Sequence, residues 1–522
     1  MQALNEKLDA LIIGAGAAGS VCAARLAQAG KQVRILEMGP QWTPGDLISS
    51  QIWGRRLKWG GPAVLPGGEH YFAHNAGMGW GSGGAALHHY GTWPRLHPEV
   101  FEQFTRHGRG HDWPFDYAEL QPWYDKVQEY VGISGDAEQE IWRGPGKPYP
   151  MPPIKTFAQG ELIAAGFRKL GKNVSPLPLI INSTVYNNRP ACQYDGWCDA
   201  GCPIGALGNP LFTYLGLAQQ NGVQISNDSA VTEILCDSKG RPEGVRYSHG
   251  GEAREAYADV IIIAGSVVQT PRLLLHSRSA EHPAGIGNSG DMVGKYLAIE
   301  CMIGQYGLFS EKTDNHMGVN AGQLTHREGF LHKDRPGVGG GLQWQIGPSQ
   351  KPNDLFGIAA TRPDLMGDEL HRFIRDGSRH LASMVGFGGG VAGRENRVEL
   401  STEKDRHGMP LPRLVHTFDE DTKALWRYMA AQGSAVFKAA GASQQWQGRM
   451  NTGHITGGTI MGKNSQDSVC DGVGRIHDTP NLFIAGGGLI PACNGVSPTY
   501  TITALAERTA GHLVDNWGRY AA

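Results

Sequence analysis

Hydrophobic residues near the start of the chain form two short apolar runs that flank an alanine-rich segment. The first run, residues 11–13, leads into a glycine-rich turn, and the second run, residues 33–36, ends at Glu37. Residues 21–29 have the alanine-rich composition of a helix, and Gly30 is placed to end it. This order predicts a strand, a helix and a second strand, with an acidic residue directly after the second strand.

The same reading predicts elements farther along the chain. The continuous apolar run at 260–265 is typical of a buried parallel strand, and a helix is expected to begin at Thr270 with Pro271 in its first turn. Residues 237–240 have the composition of a hairpin turn. The other predicted strands are 223–226, 231–235, 244–247 and 481–484, and the other predicted helices are 161–170, 211–220, 422–440 and 499–514.

Residues 296–440 have a different character from the rest of the chain. Glycine-rich stretches alternate there with short amphipathic runs such as 397–401, which favours a mostly antiparallel sheet. We therefore expect a second domain at 296–440, inserted into a first domain made of residues 1–295 and 441–522. Helix 422–440 is expected to lead back to the first domain.

Length and composition exclude several classes of protein. A chain of 522 residues is expected to form two or three structural units, and 40% hydrophobic with 18% charged residues is a globular composition. The net charge of −2 gives no indication of nucleic-acid binding. No transmembrane helix is expected, because no apolar run reaches about 18 residues. With the glycine turn beginning at residue 14, we also expect no signal peptide in this chain.

The glycine turn carries the first chemical signal. Gly14, Gly16 and Gly19 have the G-x-G-x-x-G spacing of a dinucleotide-binding turn, in which the second glycine lets the backbone approach a pyrophosphate. Glu37 is placed to accept a hydrogen bond from a ribose hydroxyl. The alternative is a glycine-rich turn in an ordinary α/β domain.

A second glycine-rich stretch covers residues 77–84. So many glycines allow the backbone to lie flat against a ligand, and the alternative is a flexible loop.

Four motifs together resemble those of the glucose–methanol–choline (GMC) oxidoreductases, which are FAD enzymes. They are the glycine turn with Glu37; residues 83–88 (Gly-Gly-Ala-Ala-Leu-His); residues 264–275, from Ala-Gly to Thr-Pro-Arg-Leu-Leu-Leu; and two segments near the end, 454–462 and 481–506. The resemblance implies an α/β fold in which a Rossmann-like FAD-binding domain holds an inserted, mainly antiparallel substrate-binding domain, as in p-hydroxybenzoate hydroxylase-like proteins.

The resemblance also implies which residues hold FAD, which we expect to be bound noncovalently, although some members attach it through a histidine at the position of His88. The implied FAD-binding residues are Gly14, Gly16, Ala18, Gly19, Glu37, Gly83, Gly84, His88, Val231, Ala264, Gly486 and Thr499.

For catalysis, the resemblance places His454 as the base that takes the proton of a substrate hydroxyl. Histidine suits this role because it is neutral near pH 7. The alternative is a hydrogen-bonded structural histidine. The family's second active-site residue is Asn or His, and this chain has Ser497 there, so Asn494 is a candidate to supply the missing amide.

Cys192, Cys198 and Cys202 lie within eleven residues, in the segment 190–205. The spacing resembles that of the FAD-dependent glucose, gluconate and sorbitol-type dehydrogenases, whose cysteines hold a 3Fe–4S cluster. A zinc site with a fourth ligand and plain buried cysteines are the alternatives. A one-electron centre beside a flavin would divide the electron pair for a cytochrome or quinone acceptor.

The resulting hypothesis is an FAD- and iron–sulfur-dependent dehydrogenase of a sugar, glycoside or polyol, with oxidation at C1 or C3 of a pyranose as options. Relatives of this branch pair with a small subunit and a cytochrome c, and the small subunit can carry the export signal. We therefore expect a periplasmic location through a partner, with the cytoplasm as the alternative. The rival functions are an O₂-using oxidase with structural cysteines and a non-catalytic flavin electron-relay subunit.

Overall fold

The computed structural model describes residues 7–58, 60–69, 78–492 and 495–521. The strands in this part of the chain are β1 (Leu8–Ile13), β2 (Val33–Leu36), β3 (Leu65–Gly67), β4 (Ser175–Pro176), β5 (Gln224–Ser226), β6 (Ser229–Cys236), β7 (Pro242–His249), β8 (Glu252–Ile263), β9 (Ala298–Leu308), β10 (Leu324–Glu328), β11 (Gly341–Ile346), β12 (Leu381–Gly389), β13 (Arg397–Lys404), β14 (Pro410–Val415), β15 (Gln444–Gln447), β16 (Asn451–Thr456) and β17 (Leu482–Ile484).

The α-helices are α1 (Ala17–Gln28), α2 (Gln51–Lys58), α3 (Gln103–His107), α4 (Tyr117–Val131), α5 (Ala158–Lys169), α6 (Tyr214–Gln220), α7 (Ser266–His276), α8 (Pro352–Ala359), α9 (Gly367–His380), α10 (Glu420–Ala440) and α11 (Thr499–Asp515). Within the described residues, no helix is both long enough and apolar enough to span a bilayer.

The first sheet has the strand order β5-β2-β1-β8-β7-β6, and β17 also pairs with β8. Strands β5, β2, β1, β8 and β17 run parallel, whereas β6 and β7 form an antiparallel hairpin. β8 belongs to both parts, because its first half pairs with β7 and its second half lies between β1 and β17.

The parallel strands form the core of this sheet. Leu11, Ile12, Ile261 and Ile262 are fully buried, as expected for continuous apolar runs covered on both faces. Helix α1 packs against α6 and α11, so the beginning and the end of the chain meet on one face of the sheet.

The second sheet is antiparallel, with the order β15-β9-β12-β11-β10-β4, and β16 pairs with the other half of β9. Helices α5 and α10 cover one face, where Cys301, Ile303, Trp344 and Phe437 form an apolar core. Helix α10 was expected to lead back to the first domain, but its apolar residues face the second sheet. This sheet also takes β4, β15 and β16 from outside residues 296–440, and the domain boundary itself stays a prediction.

A third, small sheet has the order β13-β14-β3, with β14 and β3 parallel. The predicted α/β fold, with a parallel nucleotide-type sheet and an antiparallel second sheet, is confirmed. One helix begins earlier than predicted: α7 starts at Ser266, so Pro271 lies inside it. Pro271 has no N–H, so the Val267 carbonyl lacks its usual helical donor.

Candidate active site

The glycine turn connects β1 to α1, and two of its glycines have no room for a side chain. Gly14 has a φ of +105°, and a Cβ there would lie 2.5 Å from the carbonyl oxygen of Ala264. A Cβ on Gly19 would lie 2.0 Å from the carbonyl oxygen of Gly14. The turn is therefore held tightly between the start of α1 and the end of β8.

Several predicted FAD-binding residues meet at one edge of the first sheet. β1, β8 and β17 are parallel neighbours, so Gly14, Ala264 and Gly486 follow their carboxyl ends side by side. The loop at 83–84 lies over the same edge: the N–H of Gly83 donates to the carbonyl of Ala15 at 3.0 Å. This edge is where ligands bind in open parallel sheets.

Glu37 is buried at the end of β2 and organises this edge. Its two carboxylate oxygens accept the N–H groups of Ala15 and Gly39, each at 2.9 Å. Burial raises the pKa of Glu37, and these N–H donors act against the rise. A carboxylate has about four acceptor positions, so it keeps the capacity to accept a ribose hydroxyl.

The remaining predicted FAD-binding residues lie on several different elements. Ala18 lies in the first turn of α1, and the half-buried His88 follows the short 3₁₀ turn Gly84–Leu87. Val231 lies on β6, whose first residue donates its N–H to the carbonyl of Glu37, and Thr499 begins α11. The glycine cradle, the buried carboxylate and the free helix N-terminus fit a dinucleotide; the individual contacts stay predictions.

His454 lies at an irregularity in β16. Thr452 pairs with Cys301 and Ile455 with Ile299, so Gly453 and His454 together stand opposite the single residue between those partners. This is a β-bulge, a device that re-aims a side chain.

The residue opposite this bulge is Glu300. Its Oε2 lies 2.6 Å from Nδ1 of His454. The Glu300 side chain is 1% exposed, whereas that of His454 is 33% exposed. Since an ionised carboxylate only accepts hydrogen bonds, the pair assigns the Nδ1 proton to His454 and leaves its Nε2 as an acceptor.

Glu300 and His454 lie at one end of a polar face on the second sheet. Phe387 pairs with Gln343, and Gln343 with Arg327, so these side chains share one face. The ring of Phe387 lies 5.2 Å from that of His454. The buried Oε1 of Gln343 has no partner among the described residues. We call this surface, formed by Glu300, Phe387, Gln343, Gln345 and Arg327, the polar face.

Ser497 meets the polar face from the loop that precedes α11. It is buried, and its Oγ accepts a hydrogen bond from Nε2 of Gln345 at 3.4 Å. Asn494, predicted as a substitute for the missing amide, lies outside the described residues. Gln345 places an amide beside Ser497 from a different element.

The three clustered cysteines lie in a separate loop before β5. Cys198 and Cys202 are buried and Cys192 is half-buried. The N–H of Tyr194 donates to Sγ of Cys192 and the N–H of Leu207 to Sγ of Cys202, both at 3.3 Å.

Burial raises the pKa of all three thiols, that of Cys192 to about 12, and the charge of Cys202 contributes to the rise at Cys192 and Cys198. Among the described residues, the three sulfurs do not all lie within 4.8 Å of one another, so they form no compact metal-ligand set, and the metal cluster stays a prediction.

The sequence motifs did not indicate Glu300, Gln343, Gln345 or Arg327. Each is one of several alternating residues in its strand, and their common face becomes visible when the strand register is known. Nothing in the sequence marks β10 and β11 as buried, although every residue of both strands is buried and several of them are polar.

Comparison with known protein families decides the assignment. The GMC oxidoreductase N-terminal domain matches residues 8–301, and the GMC oxidoreductase C-terminal domain matches residues 392–506. The chain belongs to the GMC oxidoreductase family. It is an FAD-dependent alcohol or sugar oxidoreductase, and the predicted family is confirmed.

Similar proteins come from several bacteria. The fructose dehydrogenase large subunit of Gluconobacter japonicus is 28% identical over 545 residues, which cover 98% of this chain and 99% of that protein. The paromamine 6′-oxidase of Streptomyces fradiae is 28% identical over 96% of this chain and 90% of its own.

Among solved structures, a pyridoxine 4-oxidase is similar, with a TM-score of 0.67, 15% identity and coverage of 97% of this chain and 99% of its own. At 15% identity, the similarity shows that this GMC oxidoreductase and the pyridoxine 4-oxidase have the same fold.

Proposed function

We propose that this GMC oxidoreductase is a dehydrogenase that oxidises a hydroxyl of a sugar, glycoside or polyol, at C1 or C3 when the substrate is a pyranose. The observation that carries the proposal is the polar face beside His454. Amide side chains from Gln343 and Gln345 suit several hydroxyl groups at once, whereas a simple aliphatic alcohol would leave the buried Oε1 of Gln343 unpaired. The fructose dehydrogenase relative supports a sugar.

In this proposal, His454 accepts the hydroxyl proton at Nε2 while Glu300 holds Nδ1. The buried carboxylate also stabilises the imidazolium that the proton transfer produces. When bound, FAD supplies the acceptor for the hydride that leaves the carbon bearing this hydroxyl group. The substrate therefore loses two electrons and two protons in total.

Ser497 is proposed to orient the substrate rather than to exchange protons with it. A hydroxyl both donates and accepts, and Gln345 occupies one of its acceptor positions. The other position and the hydroxyl proton remain for a substrate or a water. Asn494 stays a candidate for the same task.

We also propose that Cys192, Cys198 and Cys202 hold a 3Fe–4S cluster. The support is their grouping and the two N–H···S hydrogen bonds. Such a cluster carries electrons one at a time, which suits a cytochrome or quinone acceptor. The gluconate 2-dehydrogenase flavoprotein of Pantoea cypripedii, 24% identical over 97% of this chain, is a second dehydrogenase among the relatives, named for a sugar acid.

The words "large subunit" in the name of the fructose dehydrogenase relative support partner subunits for this chain as well. We propose a small subunit, a cytochrome c or another one-electron acceptor, and export to the periplasm with that small subunit. Cell fractionation with and without the coexpressed partner tests this. Equal amounts of chain in the cytoplasm under both conditions would contradict export by that route.

The first experiment is spectroscopy on anaerobically purified protein. We expect FAD with about three irons per flavin and an EPR signal in the oxidised state that disappears on reduction. D-Glucose, D-fructose and D-gluconate are then screened with an artificial one-electron acceptor, with peroxide formation measured in parallel.

The paromamine 6′-oxidase among the relatives supports the alternative function, an O₂-using oxidase. Flavin without iron, together with stoichiometric peroxide, would favour an O₂-using oxidase with structural cysteines. Failure of every alcohol to reduce the flavin would favour the non-catalytic relay.

A further inference from the structure

A cavity of about 160 Å³ lies beyond the polar face, on the side away from His454. Helix α3 closes it on one side, and β10 and β11 on the other. Its volume is many times what one water requires. The residues that matter for its chemistry are Gln103, His107, Trp142, Arg327, Phe330 and Val496.

Buried polar atoms without partners line this cavity. Gln103 is 1% exposed, and neither its amide nitrogen nor its amide oxygen has a partner among the described residues. Nε2 of His107 is likewise buried and unpartnered in that part of the chain. Buried donors and acceptors are almost always paired, so three unpaired atoms at one cavity indicate a polar ligand.

The charges around the cavity are compensated. The Arg327 guanidinium lies 3.1 Å from the carboxylate of Glu140 and also donates to the carbonyl of Arg95. The Glu99 carboxylate accepts the N–H of Phe330 at 3.0 Å. Glu328, which also lines the cavity, pairs with Lys172 and Arg335. The cavity therefore suits a neutral ligand.

Aromatic surface is available beside the unpaired amide. Trp142 is half-buried, and the ring of His107 stacks on that of Phe330 with centroids 4.6 Å apart. Aromatic faces next to amide and imidazole groups suit a hydroxylated ring, which has apolar C–H faces and polar edges.

The cavity also adjoins the polar face. Val496 directly precedes Ser497, and Arg327 is separated from Phe387, the neighbour of His454, by one strand. Two strand spacings amount to about 10 Å, which a two-ring sugar spans.

We propose that this cavity is a second sugar subsite, in which Gln103 and His107 bind the ring of a two-ring substrate that is not oxidised. The ligand class rests on the proposed function, whereas the cavity and its unpaired atoms do not depend on it. Single-ring sugars would reach His454 without using Gln103.

The test measures binding to the FAD-loaded enzyme by titration calorimetry, so it needs no turnover. The two-ring probes are maltose, cellobiose, sucrose and trehalose, and the single-ring probes are D-glucose and D-fructose. The variant Gln103→Leu keeps the side-chain size and removes both unpaired atoms. Gln220→Leu, at an exposed position on α6, is the matched control.

We expect at least one two-ring sugar to bind more tightly than both single-ring sugars, and Gln103→Leu to weaken that binding about tenfold. Single-ring binding should stay within about twofold of wild type under the same reasoning. The ligand-free Gln103→Leu enzyme should melt at the same temperature or higher, because an apolar group replaces unpaired polar atoms. A structural role for Gln103 would lower the melting temperature instead.

Three results would overturn the inference: no preference for any two-ring probe, equal weakening of both probe classes, or a lower melting temperature. A crystal structure of the enzyme with the tightest-binding two-ring sugar would also overturn the inference if the cavity held only ordered water. Binding without oxidation of any sugar would reject the proposed function and leave the subsite intact.

Discussion

The pairing of Glu300 with His454 leads to the sharpest prediction. Glu300→Gln keeps the shape and the hydrogen-bonding capacity of the side chain but removes its charge. A charge-assisted hydrogen bond contributes roughly 1.5–3 kcal/mol and a neutral one about 1 kcal/mol, so the loss is about 0.5–2 kcal/mol. If that energy acts in the transition state, flavin reduction slows about 2- to 30-fold.

The assay is anaerobic stopped-flow reduction of the bound flavin by saturating substrate. Because Glu300 is expected to act through His454, the loss should appear in the limiting reduction rate while the substrate concentration at half-saturation changes little. Glu300→Asp should recover part of the rate, since it restores a carboxylate.

Glu507→Gln provides a matched control, because Glu507 is also a buried carboxylate with a cationic partner, Arg25. We expect Glu507→Gln to lower the melting temperature and leave the reduction rate unchanged. If Glu300→Gln reduces its flavin as fast as wild type, or if both variants slow it equally, Glu300 does not position the base.

Three further predictions concern the cofactors and the base. His454→Ala should retain FAD but lose flavin reduction by substrate, and normal reduction would reject its role as base. Cys198→Ser should lose iron, keep anaerobic flavin reduction and lose transfer to a protein acceptor; undiminished transfer would contradict the relay. Gly19→Ala should destabilise the enzyme by about 2–3 kcal/mol and reduce its FAD content, since a Cβ would meet the backbone oxygen of Gly14. Gly357→Ala, where a Cβ has open space, is the control for this change and should melt like wild type.

Local patterns predicted the nucleotide-type part of the fold well. The strand, turn, helix, strand and Glu37 follow each other within thirty residues, so their geometry depends on neighbours in the sequence. The hairpin at 237–240 was predicted for the same reason, and the N–H of Gly240 donates to the carbonyl of Asp237.

The second sheet was harder to predict because its pairings join distant segments. β4 has two residues, and β15 and β16 both attach to β9, more than a hundred residues earlier in the chain. No local periodicity reveals such partners. Which sheet helix α10 covers could not be predicted for the same reason, since an apolar helical face does not indicate its partner.

The candidate site likewise contains residues that local motifs predicted and residues that depend on distant strand pairing. His454 and Ser497 were found through motifs, whereas Glu300 depends on the bulge in β16 and Gln343 on the register of β11 with β12. Sequence analysis gave no reason to single out Gln103, because a glutamine in a short helix is ordinarily exposed.

The shared strand β8 has a consequence for how the protein is made. Its second half has β1 on one side and β17 on the other, and β17 lies within the last forty-one residues of the chain. At about 5–20 residues per second, a ribosome needs roughly 25–100 s to deliver the whole chain. During that time the nascent N-terminal glycine turn lacks both Gly486 and α11. The predicted flavin site thus combines a segment around Gly14 with a distant segment around Gly486, and it closes only after the ribosome has made the second of them.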